Sequence, residues 1–250
     1  MSVIICNFAS QNQTEVRVAN VCRSLIINKL KRKEMLTNCC PAAAALPTIT
    51  TVTCAERFGQ IQKIIFQRLM NGSSRNGIVD GTTSGQAGLL ASWTALKAAN
   101  NDTKIAVTPF VENPTPGGGD AITVGGGNES LNGAERVIGS NPVEMTFDLN
   151  NFPQVVIADL KKLMCEALTN NLGVYLINEN GQIMGIKETV SSGGSTTTTW
   201  YPMPIQTLYV GDKQPGGLNA DDKNPMSFKF KPGYSDNSAI LTLDASALAL

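Results

Sequence analysis

Apolar and polar residues alternate through most of the second half of the chain. In "PVEMTFDL" the apolar residues are Val143, Met145, Phe147 and Leu149, and the polar residues between them are Glu144, Thr146 and Asp148. A period of two predicts a strand with one buried face. Six further segments have strand character: "DTKIAVTPFV", "AITV", "LGVYLINENGQIMGI", "WYPMPIQTLYVG", "MSFKFK" and "AILTLDA". In the third of these, Glu179-Asn180-Gly181 predicts a hairpin turn.

Two segments show a helical period instead. "LLASWTALKAAN" predicts a short helix in which Trp93 anchors a core or an interface. "FPQVVIADLKKLMCEALTNN" predicts a longer helix from about Pro153 to Leu168, since proline is favoured in a first turn. Its predicted apolar stripe comprises Val156, Leu160, Leu163, Met164, Ala167 and Leu168. Lys161 and Lys162 are then expected to face solvent or a neighbouring subunit.

The first part of the chain is ambiguous. "EVRVANVCRSLIINKLKRKEML" fits an amphipathic helix or a strand pair with a basic edge, or a segment that binds polyanions. "CAERFGQIQKIIFQRLMNG" fits a helix or a pair of strands broken at Gly59. Glycine, serine, asparagine and threonine predict loops at 71–88, 115–133 and 191–199.

These elements predict an α+β fold, mainly an antiparallel β-sandwich or barrel with a flanking α-helix and an N-terminal extension. We expect residues 1–80 to form the N-terminal region, either an extension or an added domain. Residues 81–250 are expected to form the β-rich core domain.

The composition narrows the function. Charged residues make up 16% of the chain, and 20 basic residues balance 20 acidic ones. A low charge density favours association, because few like charges keep copies apart. The sequence contains no histidine, which excludes catalysis by histidine and metal motifs that need imidazole.

The cysteines do not follow the spacing of a zinc site. They are Cys6, Cys22, Cys39, Cys40, Cys54 and Cys165, without the paired knuckles that structural zinc sites use. We therefore expect buried free thiols and no metal ligands. We also expect no secretory signal and no membrane span, because the start lacks a basic region and no apolar run is long enough.

Two triple-glycine runs, at 117–119 and 125–127, raise the question of a phosphate-binding loop. A dinucleotide fingerprint fails because Ser130 and Ile122 occupy the positions of the third glycine. A P-loop fails because neither run is followed by lysine and then serine or threonine. We expect loops that flank the strand "AITV" in an antiparallel sheet, and no cofactor.

Charge is unevenly distributed along the sequence. Between 111 and 150 the acidic residues are Glu112, Asp120, Glu129, Glu135, Glu144 and Asp148, against Arg136 alone. Residues 17–33 are basic instead, with Arg17, Arg23, Lys29, Lys31, Arg32 and Lys33. A basic surface of one copy could meet an acidic surface of the next in a head-to-tail contact.

The segments "LLASWTALKAANNDTKIAVTPFVENP", "GGDAITVGGGNESLNGAERVIGSNPVEMTFDLNNFPQVVIADLKKLMCE" and "LGVYLINENGQIMGI" resemble virion structural proteins of tailed bacteriophages, especially phages of Bacteroidota-type hosts. The resemblance spans about residues 85–190 and is greatest to tail tube proteins. It implies a β-sandwich or barrel with a flanking helix, and hexameric rings that stack into a conduit for DNA. The N-terminal 80 residues depart from the family, whose minimal members are shorter.

The resemblance implies a non-enzymatic subunit that assembles in the host cytoplasm and resides in the virion. Its expected partners are further copies of itself and other virion proteins, and double-stranded DNA would pass without specific binding. Strand-edge pairing and loop insertion are the expected contacts between copies. Alternatives are a capsid decoration, head-fibre or neck protein. An enzyme would need paired carboxylates such as Asp221-Asp222, for which a solvated loop is the simpler interpretation. No catalytic, cofactor-binding or metal residues are predicted.

Overall fold

The computed structural model describes residue 49 and residues 56–80, 86–129, 133–192 and 195–250. Contacts divide the chain into two units, Met1–Ala55 and Glu56–Leu250. The described helices and strands all belong to the second unit. The predictions for residues 17–33 and for the five cysteines of the first 54 residues lie outside the described residues.

The described part of the chain is mostly antiparallel sheet with two α-helices, so the α+β, mainly β fold class is confirmed. The helices are α1 (Leu90–Ala98) and α2 (Gln154–Leu168). The strands are β1 (Ile61–Arg68), β2 (Met70–Asn71), β3 (Ser74–Arg75), β4 (Ile78–Val79), β5 (Ile105–Val107), β6 (Glu112–Gly118), β7 (Ala121–Gly125), β8 (Glu135–Ser140), β9 (Val143–Asn150), β10 (Leu172–Asn178), β11 (Ile183–Ser192), β12 (Ser195–Tyr201), β13 (Met203–Val210), β14 (Lys223–Phe230) and β15 (Ser238–Leu241).

Strand β10 lies at the centre of the main sheet, and all seven of its residues are buried. It pairs with β1 along one side. Along its other side it pairs with β11 near its C-terminal end and with β13 near its N-terminal end. The main path runs β4-β12-β11-β10-β13-β14-β9-β6, and the sheet curls into a half-barrel.

The first hydrophobic core lies between α2 and strands β1, β9, β10, β13 and β14. Its centre is aromatic: Phe228 stacks on Phe147 and meets Phe66 and Phe230 edge-on, with centroid separations of 5.5, 6.5 and 5.2 Å respectively. Such pairs contribute about 0.5–1.5 kcal/mol each beyond the area that they bury.

The second core lies on the opposite face of β1 and β10 and is covered by α1 and the C-terminal residues. Trp93 is fully buried, as expected of an anchor, and its ring meets that of Tyr175 edge-on at 4.9 Å. The indole Nε1 donates to the carbonyl of Ala87 at 2.9 Å. Burial raises the pKa of the Tyr175 hydroxyl well above its ordinary value, so the group stays neutral.

The predicted register of β9 is confirmed. Met145, Phe147 and Leu149 are buried, whereas Thr146 is exposed. The predicted hairpin is also present, since β10 and β11 pair across a turn in which Gly181 has φ 71°. A left-handed conformation is the reason that this turn favours glycine.

The predicted stripe of helix α2 needs two corrections. Ile157 was missed and is fully buried, whereas Leu168 was assigned to the stripe and is 83% exposed. Leu168 comes one helical turn after Met164 and was therefore expected on the same side of α2. Ala167 beside it is buried, so in the last turn the packed side of α2 passes through Ala167 and not through Leu168.

The predicted loops at 71–88, 115–133 and 191–199 contain strands. The first includes β3 and β4, the second the end of β6 beside the predicted strand β7, and the third the paired ends of β11 and β12. Threonine carries part of this pairing, because the hydroxyls of Thr189 and Thr198 lie 3.0 Å apart. Composition alone had favoured loops, since such polar strands bury little apolar surface.

In the segment around Gly59 the described residues form no helix, and of the alternative pair of strands only the one after Gly59 is observed. Residues 61–68, which the sequence analysis assigns to the N-terminal region, form β1 and pair with β10 and β5. Arg68 at the end of β1 also connects the sheet to α2, because its guanidinium donates to both carboxylate oxygens of Glu166 at 2.9 and 2.6 Å.

Candidate assembly surfaces

Strands β7 and β8 form a two-stranded ribbon separate from the main sheet, which we call the arm. All their residues are exposed or half-buried. The arm continues the β6–β9 hairpin: Gly118 pairs with Val143 in the main sheet, and Ala121 pairs with Ser140 in the arm. The arm is therefore a projection from one end of the sheet.

The first glycine run forms the bend between sheet and arm. Gly118 and Gly119 have φ angles of 74° and 83°, a backbone region that residues with a side chain rarely adopt. A Cβ on Gly118 would lie 2.4 Å from the carbonyl oxygen of Pro142 on the opposite strand. Here glycine is required both by backbone conformation and by the close approach of two chains.

The second glycine run forms the turn that leaves β7. Gly125, Gly126 and Gly127 have φ 99°, 106° and 54°. The two runs therefore flank β7, as the sequence indicates, and their glycines meet backbone requirements at the two ends of the strand.

The arm exposes an unusual amount of apolar surface. Ile122 and Val124 on β7 are 40% and 44% exposed, and Val137 and Ile138 on β8 are 64% and 51% exposed. A two-stranded hairpin alone is at best marginally stable in water. An exposed apolar ribbon of this kind is typical of a surface that another molecule covers.

The outer face of β6, β9, β14 and β13 is a second candidate surface. It is polar, with Thr115, Thr146 and Ser227 in one row across the strands and Tyr209, 55% exposed, completing the row. Two shallow depressions of about 330 and 270 Å³ lie on this face, and Asp148 lines both.

Each of the two lysines of the outer face lies near a carboxylate. Lys229 lies 3.5 Å from Glu144, and Lys223 lies 3.6 Å from Asp148. These exposed pairs contribute little to stability. Glu112 on β6 lies opposite Asp148 and forms no ion pair with a described residue, so the face carries a small acidic excess.

Strand β6 is the edge at this end of the main path and carries Pro114 and Pro116. Residues two apart direct their backbone nitrogens to the same side, and proline within a ladder would remove hydrogen bonds. Pro116 lies in register opposite Met145, and Pro114 lies in an irregularity of the pairing between Glu112 and Thr115; neither has an N–H to donate. Strand-edge pairing between copies is disfavoured at this edge.

The structure gives Asp221 and Asp222 different partners. Asp221 accepts from Asn151 Nδ2 at 2.9 Å, whereas Asp222 accepts from the backbone N–H of Gly216 at 3.0 Å and from Lys213 Nζ at 3.2 Å. The hydrogen bond from Gly216 lowers the pKa of Asp222 below its ordinary value, and the hydrogen bond from Lys213 adds a smaller effect in the same direction. Among the described residues, no group of three or more acidic or cysteine side chains is arranged to hold a metal ion.

Cys165 differs from the expected buried thiols, because it is free and exposed on α2.

In the described part of the chain, neither helix has the length and apolarity needed to cross a membrane. In comparisons with known proteins, the chain matches no family model, no curated protein and no solved structure.

Sequence reasoning missed one further surface feature. The exposed ring of Phe110 lies against Lys63, whose Nζ is 4.7 Å from the ring centroid. The backbone N–H of Val111 donates to the carbonyl of Gln62 at 2.8 Å, which holds the two segments together. Local patterns do not report such contacts.

Proposed function

We propose that the chain is a non-enzymatic structural subunit of a phage virion, a tail tube protein whose copies form hexameric rings that stack into a conduit for DNA. The observation that carries the proposal is the arm, an apolar ribbon that makes no part of either core. Neither core of the described residues covers it, and a subunit that builds a polymer has a partner available in every neighbouring copy.

Three further observations support the proposal. The curled antiparallel sheet with a flanking helix agrees with the architecture that the resemblance implies. The low charge content favours association of copies. An outer face whose lysines are paired with carboxylates suits a wall past which DNA moves, because unpaired basic residues would bind phosphates and release counterions.

Analytical ultracentrifugation and negative-stain microscopy of the purified full chain test the proposal. The expected result is assembly into six-fold rings or tubes at high protein concentration. Three-fold particles would favour the fibre or decoration alternatives. A single 26.5 kDa species at every salt and protein concentration would contradict the proposal.

A further inference from the structure

A second surface with an exposed apolar side chain lies around Phe110. The ring is 52% exposed, and Lys63 lies over it. The pKa of Lys63 is lowered from its ordinary value, first by burial and second by the positive charge of Lys97. Lys97 lies near the end of α1, close enough to repel Lys63. We call Phe110, Lys63 and Lys97 the Phe110 patch.

The charges of the Phe110 patch have no carboxylate side-chain partner within the described residues. Lys63 and Lys97 donate to the backbone carbonyls of Leu248 and Leu250, and neither forms an ion pair with a described acidic side chain. The patch therefore combines an exposed aromatic ring with two lysines that have no acidic side chain as a partner among the described residues.

The arm has the complementary character. It exposes four β-branched side chains. In the sequence, residues 119–142 contain three acidic residues, Asp120, Glu129 and Glu135, and one basic residue, Arg136. Asp120 and Glu135 form no ion pair with a described residue. Apolar surface with an acidic excess on the arm matches apolar surface with a basic excess on the patch.

Within one chain the two surfaces lie at opposite ends of β6. Phe110 comes just before the strand begins, and the arm bends away at Gly118, where it ends. Seven residues of strand span about 20 Å. The arm begins at the end of β6 that is far from its own patch, so the patch of a second copy is the complementary surface that we consider.

We propose that the arm of one copy docks on the Phe110 patch of the next, in a head-to-tail contact that adds copies in series. This inference rests on the proposed self-assembly and names the surfaces that would carry it. The contact is heterologous, so each copy donates one arm and accepts another, and the series closes into a ring or continues as a filament according to the rotation between copies.

Two complementary variants test the proposal. The arm variant, Val137→Asp with Ile138→Asp, leaves the patch intact. The patch variant, Phe110→Asp with Lys97→Glu, leaves the arm intact. All four side chains are exposed, so both variants are expected to fold, which thermal unfolding would verify. Val155→Asp is the matched control, since Val155 is 67% exposed on α2, outside both surfaces.

Each variant alone is expected to associate at least about 100-fold more weakly than the wild type, because central contacts dominate interface energetics. The control should assemble normally. An equimolar mixture of the two variants should form 1:1 dimers, because the intact arm of the patch variant can still dock on the intact patch of the arm variant. Sedimentation velocity distinguishes these species.

The possible failures are distinguishable. Variants that assemble like the wild type would overturn this inference and leave the proposed self-assembly standing. A mixture that remains monomeric would overturn the head-to-tail arrangement, because both lesions would then affect one shared contact. A wild-type chain that never assembles would overturn both proposals.

Discussion

The ring of Phe147 stacks on that of Phe228, with centroids 5.5 Å apart and planes inclined by 26°. The two residues lie on neighbouring strands, β9 and β14, and both are at most 2% exposed. This pair connects the strand that the sequence specifies most clearly to the aromatic centre of the first core.

Replacing Phe147 with alanine should lower the free energy of unfolding by about 3–5 kcal/mol, because it removes buried surface and leaves a cavity. Glu144→Ala on the same strand is the control. Glu144 lies on the outer face, and its ion pair with Lys229 is exposed, so a loss of about 0–1 kcal/mol is expected. Urea unfolding measures both. Equal losses would contradict the strand register.

A proline at Leu160 should prevent folding. Leu160 is 7% exposed in the middle of α2, and proline there removes a hydrogen bond and clashes with the preceding turn. Leu160→Met, which conserves volume, should cost less than about 1.5 kcal/mol. Circular dichroism and solubility report the outcome. A soluble, assembled proline variant would be incompatible with the helix.

Gly118→Ala should disturb the arm, because the new Cβ would meet the carbonyl oxygen of Pro142 in a backbone conformation that alanine rarely adopts. A cost of about 1–3 kcal/mol is expected, together with impaired assembly. Gly117→Ala is the matched control, since Gly117 has no positive φ and nothing within 4 Å of the added Cβ. Thermal unfolding and sedimentation compare the two. Identical behaviour would argue against a required bend.

The ion pair between Glu166 and Arg68 should make stability depend on pH. Hydrogen bonds from Arg68 hold the pKa of Glu166 below its ordinary value of 4.5. A depressed pKa in the folded state means that the stabilisation is full above about pH 5 and is lost as pH falls through the folded pKa.

Glu166→Gln should therefore flatten the dependence of unfolding free energy on pH below 4.5. The side chains are 34% and 40% exposed, so the effect should stay within about 1 kcal/mol. Denaturant unfolding from pH 3 to pH 7 provides the measurement. Parallel curves for variant and wild type would contradict the assigned role of the pair.

The assembled protein should show no appreciable affinity for double-stranded DNA at physiological salt. The chain has zero formal net charge, and the lysines of the outer face are paired. Fluorescence anisotropy with a labelled duplex measures this. Reversing Lys31, Arg32 and Lys33 to glutamate should impair assembly rather than any DNA contact. Tight, salt-sensitive binding that this variant loses while still assembling would overturn the tail tube proposal.

The elements that the sequence predicted well are those with one buried face. Strand β9 alternates because its outer face meets water, so its register can be read from residues such as Phe147 and Thr146. Strand β1 could not be distinguished from a helix in this way. Ile64, Ile65 and Phe66 are consecutive and buried, because the two cores cover both faces of the strand.

The candidate assembly surfaces were less predictable. The alternating aliphatic residues of β7 indicate a strand, but whether it lies in the main sheet depends on the bend at Gly118. The contact between Phe110 and Lys63 joins segments far apart in sequence. Pattern analysis within a short window has no information on either relationship.

The two prolines of β6 affect how newly folded copies of the chain avoid aggregation. Newly folded copies of a chain meet one another in solution. A bare strand edge would let those neighbours fuse through their backbones in any register. Pro114 and Pro116 have no backbone N–H to donate in such encounters, which disfavours unspecific backbone pairing at this edge.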